Sequence, residues 1–136
     1  MLLDYNLVLS DAQAETTQAA HDSTSTSDCG VADANMGGGT PIYVVISVNT
    51  AFTSGGAATL AVKLQESDDD QSFTDLIASK TSTLTQAAVA GAKLMQIALP
   101  PVHKRYIKAV YTIGVAAMTD GAIDAYLTTG PSVPLA

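Results

Sequence analysis

The sequence predicts an all-β fold, a jelly-roll-like antiparallel β-sandwich of about eight strands. Three observations carry that expectation. Short stretches with period-two alternation recur along the chain, separated by Gly, Pro, Asp and Ser turn signals. No stretch carries an apolar stripe at helical spacing. The polar share is filled by Ser and Thr, and Thr suits a half-buried pleated strand better than a helix.

Taken in order, Leu3, Tyr5, Leu7 and Leu9 alternate with Asp4, Asn6 and Ser10, which reads as an early strand. Between Ser10 and Ala20 two readings compete. Ser10 followed by Gln13 resembles a capping box opening a helix, but Thr16-Thr17 and the missing apolar stripe favour extended or irregular chain. Ser23 to Ser27 reads as a solvent-side strand or loop, and Ala34 to Pro41 as a Gly-rich loop. Ile42 to Val48 is a continuous β-branched run, as in a strand buried on both faces. Thr53-Ser54-Gly55-Gly56 is a turn. Leu60, Val62 and Leu64 alternate with Ala61, Lys63 and Gln65 in a half-buried strand.

Asp68 to Ser72 is the next turn, followed by two short strands, Phe73 to Ala78 and Thr81 to Thr85. Leu94 to Leu99 is a strand closed by Pro100-Pro101. Ile107, Ala109, Tyr111 and Ile113 share one face of a strand running from Arg105. Ile123, Ala125 and Leu127 mark the last strand. Pro131 and Pro134 keep the tail out of any central strand position. The 136 residues are expected to form a single domain, with 1–11 and 130–136 as candidate arms.

Composition limits function. Hydrophobic residues make up 47% and charged residues 14%, which excludes wholesale disorder. With five Tyr, two Phe and no Trp, the core must be aliphatic. The net charge of −7 would repel a phosphate backbone, so no nucleic-acid partner is expected. No stretch approaches the ~20 apolar residues of a membrane-spanning helix, and an acid at Asp4 does not suit a signal peptide. Synthesis in the cytoplasm without a membrane anchor is the expectation. Residues 1 to 35 hold six acids (Asp4, Asp11, Glu15, Asp22, Asp28, Asp33) and no base, whereas every Lys and Arg lies between Lys63 and Lys108.

The residues with chemical potential are few. His21 and His103 are far apart, each in an expected loop, and a metal site needs converging donors. Cys29 stands beside Asp28, whose charge would raise a thiol pKa, so it is expected to be an inert, half-buried strand residue. Asp68-Asp69-Asp70 invites a calcium reading, but acids in sequence alternate in direction and a solvated turn is the simpler account. No Gly-x-Ser-x-Gly elbow or phosphate-cradling Gly loop is present. The expectation is a protein without enzymatic activity, cofactor or metal. Lys104, Arg105 and Lys108 form the basic cluster, either a solvated strand face or a patch for an acidic partner surface such as the first third of a neighbouring copy.

Several stretches bear a family resemblance. Val48 to Asp70 (VNTAFTSGGAATLAVKLQESDDD), Leu99 to Tyr111 (LPPVHKRYIKAVY), Gly121 to Tyr126 (GAIDAY) and Leu9 to Ala14 (LSDAQA) resemble small capsid cement, or decoration, proteins of tailed bacteriophages. The acidic, Ser/Thr-rich segment from His21 to Asp28 departs from that pattern. The resemblance implies a jelly roll on the outer surface of the virion capsid, bound to the major capsid protein and bridging capsomers. It also implies self-association, as a homodimer or alternatively a homotrimer. Under that reading Leu3, Tyr5, Asp68, Asp70, Lys104, Arg105, Lys108, Pro131 and Pro134 are candidate protein-interface residues. The alternative is a carbohydrate-binding, lectin-like jelly roll, which would need exposed aromatic faces that only Tyr43, Tyr106 and Tyr126 could supply.

Overall fold

A computed structural model of the chain describes residues 8–28, 42–83, 89–100 and 104–128, with nine strands and no helix among them. The strands are β1 (Val8–Ala14), β2 (Ala20–Asp22), β3 (Ser27–Asp28), β4 (Tyr43–Thr53), β5 (Thr59–Ser67), β6 (Thr74–Thr83), β7 (Lys93–Ala98), β8 (Tyr106–Gly114) and β9 (Asp120–Thr128). They form two antiparallel sheets, ordered β1-β9-β4-β7 and β2-β8-β5-β6, with β3 also on β8.

That order is a rolled-up ribbon. Counting β2 and β3 as one interrupted strand leaves eight, and they pair first with last inward: β1 with β9, β2 and β3 with β8, β4 with β7, β5 with β6. Two further ladders, β4 with β9 and β5 with β8, close each half into a sheet. This is the jelly-roll pairing that the sequence pattern anticipates.

The period-two pattern sets the core. In β5, Leu60, Val62 and Leu64 are buried while Ala61, Lys63 and Gln65 are half-buried. In β8, Ile107, Ala109, Tyr111 and Ile113 point inward, and in β9 Ile123, Ala125 and Leu127 do so. Val44 to Val48 are buried without a break, and only Val44, Ile46 and Val48 join the central cluster, so β4 is covered on both faces. Each buried Val, Leu or Ile side chain contributes about 1.5–3 kcal/mol by leaving water.

The extended or irregular reading favoured between Ser10 and Ala20 holds: β1 continues to Ala14, and Ser10 Oγ donates to Gln13 Oε1 at 2.7 Å across a bulge where Ala12 takes φ +48°. Two expectations need correction. The two strands expected after Phe73 are one, β6, because unbroken β5 lies opposite and the ladder slips between Lys80 and Ile77 instead of ending. His21 lies in β2, paired with Tyr111, and not in a loop.

The break between β2 and β3 has a local cause. Ser23 N donates to Ala109 O (2.8 Å), while its Oγ accepts from Ala109 N (3.1 Å) and donates to Ser25 O (2.8 Å). One side chain thus stands in for a ladder hydrogen bond while the chain bends away from β8. Ser23 and Ser27 are buried, so the Ser-rich segment is not on the solvent side throughout.

Candidate interaction surfaces

The basic cluster meets its acids within the chain. Arg105 Nε and Nη2 donate to the two carboxylate oxygens of Asp28 at 2.8 and 3.0 Å, a forked contact that keeps the guanidinium charged and also lays it over the Tyr106 ring at 5.0 Å. Lys108 Nζ lies 3.0 Å from Asp22 Oδ2 and 4.1 Å from the Phe73 ring centroid. Lys104 Nζ lies 3.6 Å from Asp68 Oδ2, and its backbone N–H donates to Glu66 Oε2 at 2.8 Å. Lys63 Nζ lies 3.1 Å from Asp75 Oδ1. Asp22 and Asp28 belong to the acidic first third, which the β2–β8 and β3–β8 ladders bring alongside the bases. Water and salt screen such surface pairs, so they add little to stability. They give an outer sheet face of alternating sign, suited to positioning a protein partner and to rejecting wrong registers.

The acidic turn is organised by its middle residue. Asp69 Oδ1 accepts from Gln71 N, Ser72 N and Ser67 Oγ at 2.9, 3.0 and 2.9 Å. The Ser72 and Gln71 amides, then the Ser67 hydroxyl, hold its carboxyl down at about 2. Asp70 follows with φ +58°, closing the turn. Because the folded value lies below the ordinary 3.8, Asp69 contributes stability above pH 3.8 that is lost as pH falls toward about 2. Asp69→Ala is therefore expected to lower the thermal midpoint at neutral pH, with the gap to wild type narrowing in acid. Paired melts at both pH values check this, and a gap that stays constant refutes it. Among the described residues no three His, Cys, Asp or Glu side chains gather as metal ligands would.

A polar chain crosses from one sheet to the other, and nothing in the sequence pattern marks it. Ser10 has one hydroxyl proton, given to Gln13 Oε1, so the buried Tyr111 hydroxyl donates to Ser10 Oγ at 2.7 Å. Thr24 N and Oγ1 also donate to Gln13 Oε1, both at 2.8 Å. Gln13 Nε2 donates to Glu15 Oε1 (2.6 Å) and Asp22 O (2.9 Å). His21 Nε2 lies 3.7 Å from Glu15 Oε2 and donates to Thr17 O at 3.0 Å. Burial pushes the Tyr111 phenol and the Glu15 carboxyl above their ordinary values. The Ser10 hydroxyl is held by Gln13 and Tyr111, not by a base that could activate it. The chain fastens β1 and β2 to β8, and beside it Val8 to Asp11, Thr24 and Ser25 line a shallow cleft of about 110 Å³.

Of the candidate interface residues, Asp68, Asp70, Lys104, Arg105 and Lys108 all belong to one sheet, on the β5–β6 turn and at the start of β8. Leu3, Tyr5, Pro131 and Pro134 lie outside the described residues, as do Cys29, His103, the loop 34–40 and both candidate arms except 8–11. No curated protein matches the chain. One family model, Bbp16, matches residues 9–127, a span that begins one residue into β1 and ends one residue short of the end of β9. The match takes in the whole described sandwich apart from those edge residues, and the chain belongs to the Bbp16 family.

Proposed function

We propose that this protein is a capsid cement protein of a tailed bacteriophage, a structural virion component with no catalytic activity. It binds the outer surface of the major capsid protein shell, bridges capsomers and associates with itself. The observation that carries this reading is where the cement-protein resemblance falls in the fold. Val48 to Asp70, Leu99 to Tyr111 and Gly121 to Tyr126 contribute the end of β4, all of β5, and most of β8 and β9. Those four are the central strands of the two sheets, so the likeness lies in the framework and not in one loop.

The physics suits the role. A sandwich whose strands are zipped first to last resists local opening, and a shell repeats each modest contact many times, so avidity supplies what one small interface lacks. Of the three tyrosines that the sugar-platform alternative would use, Tyr106 lies beneath Arg105, and Tyr43 and Tyr126 are half-buried on β4 and β9. The decisive experiment adds purified protein to expanded, cement-free capsids and measures occupancy by sedimentation and imaging. Saturable, stoichiometric addition is expected; the absence of binding at micromolar protein rejects the reading.

A further inference from the structure

In a ribbon rolled this way, successive connections alternate between the two ends of the sandwich. One end holds the β5–β6 turn, the approach to β8 and the two limits of the described chain at Val8 and Thr128. Asp68, Asp69, Asp70, Lys104 and Arg105 are gathered there. The other end is built from residues 15–19, 54–58, 89–92 and 115–119.

Those four stretches contain one ionisable side chain, Glu15, and it is buried. Three of them are laced together: Met118 N donates to Thr16 O (2.9 Å), Thr119 N to Thr53 O (2.7 Å) and Ser54 Oγ to Ala117 O (2.7 Å). The surface they present is Gly, Ala, Val, Ser, Thr and Gln18, all uncharged. Val115 at 69% and Val89 at 62% exposure are the exposed large hydrophobics among the described residues, and both sit on connections at this end.

Val115 is also held in an unfavourable backbone. Its φ is +69°, and Ala116 N donates to Gly114 O at 2.8 Å, closing a three-residue γ-turn around a β-branched side chain. A strained turn that buries its apolar residue would be explained by packing. This one presents it to solvent.

We propose that this uncharged end is the surface through which the protein associates with a second copy of itself, with Val115 at the contact and Gly55 to Ala57 beside it. The argument for that occupant is electrostatic. Each copy carries a net charge of −7, and a two-fold contact sets a surface against its own like. At the charged end such a contact would oppose one Asp68–Asp70 turn with another, whose nearby cations Lys104 and Arg105 are already engaged with Asp68 and Asp28. At the other end the nearest exposed charges are Asp120 and Lys93, one of each sign, at the starts of β9 and β7, so no like-charged turn is set against itself and exposed valine surface leaves water on both sides. This deepens the self-association in the proposed function and does not depend on the capsid.

The test is sedimentation equilibrium of the full chain from about 10 µM to about 1 mM, the range of weak interfaces. Wild type is expected to form a reversible dimer. Val115→Glu and Gly55→Glu are each expected to weaken it about tenfold or more by opposing like charges across the contact. Gly55 has open space around it, with nothing within 4 Å of an added Cβ, so its variant keeps the test valid even if Val115→Glu disturbs its turn. Val115→Gly is expected to weaken association while raising the thermal midpoint, because glycine relaxes the γ-turn. A monomeric wild type, or a dimer indifferent to both Glu variants, overturns the proposal. Shell occupancy measured alongside separates the two readings: failure to decorate capsids leaves this result standing, and an unaffected dimer leaves decoration standing.

Discussion

Gly121→Ala is expected to cost about 3–5 kcal/mol of folding stability, a large part of what a domain of this size holds. Gly121 opens the buried run of β9 at φ +146°, a backbone that L-residues rarely adopt. A Cβ there would run into the ring of Phe52, which is fully buried on β4. The β4–β9 ladder is irregular at this point, with Thr50 opposite Ala122 and Thr53 opposite Asp120, so the ring lies against bare glycine where the ladder slips. Neither partner can move cheaply. Gly121 O accepts the Glu15 N–H at 3.1 Å, and Phe52 has core on its other sides.

Backbone strain and overpacking each cost about 1–3 kcal/mol, and here they act on the same atoms. Urea unfolding of the variant measures the sum. Phe52→Leu in the Gly121→Ala background should recover part of the loss, giving a coupling energy that a pure backbone effect would not show. A cost below about 1 kcal/mol would mean that β4 and β9 separate easily here, against the packing described.

The reason Gly121 matters was not visible in the sequence, where Asp120-Gly121 reads as loop punctuation. What was visible is the alternation. β5, β8 and β9 each announce their buried face because side-chain direction in a strand is strictly local. β4 announces burial on both faces by its unbroken Val-Val-Ile run. From about eight such strands with tight turns, a jelly roll follows as a class. Features set by distant pairing did not show. Ser23 completes the β8 ladder with partners eighty-six positions away, so its burial has no local signature. The Asp28–Arg105 and Asp22–Lys108 pairs likewise exist because β3 and β2 fall into register with β8. The sequence showed the two charge pools without showing that they meet in one molecule. The polar chain from Tyr111 to His21 was hidden for a related reason. It lies where β1 and β2 leave one sheet for the other, and there buried Ser10 and Glu15 and half-buried Gln13 take the inner positions, which no apolar stripe would mark.

Glu15→Gln is expected to stabilise the protein by about 1–2 kcal/mol at mildly alkaline pH, the scale of one poorly satisfied buried polar group. The carboxyl is 2% exposed. Gln13 Nε2 serves Oε1 at 2.6 Å, but Oε2 has no hydrogen-bond partner, and His21 Nε2 stands 3.7 Å away, donating to Thr17 O. Burial is the largest influence and outweighs both His21 and Gln13, so the folded chain holds the Glu15 proton to a higher pH than the ordinary 4.5. The sign of the linkage follows. The group's contribution is fully present below pH 4.5 and is lost as pH rises through the raised value, where the folded state alone must keep a charge out of water. Glutamine keeps the shape and the carbonyl that Gln13 contacts, and removes the charge. Urea unfolding of both proteins at steps from about pH 4 to about pH 8 should show curves that meet in acid and diverge toward base, with the variant above. If the variant instead falls below wild type as pH rises, the His21 contact outweighs burial, and Glu15 serves as an ionised latch between β1 and β2.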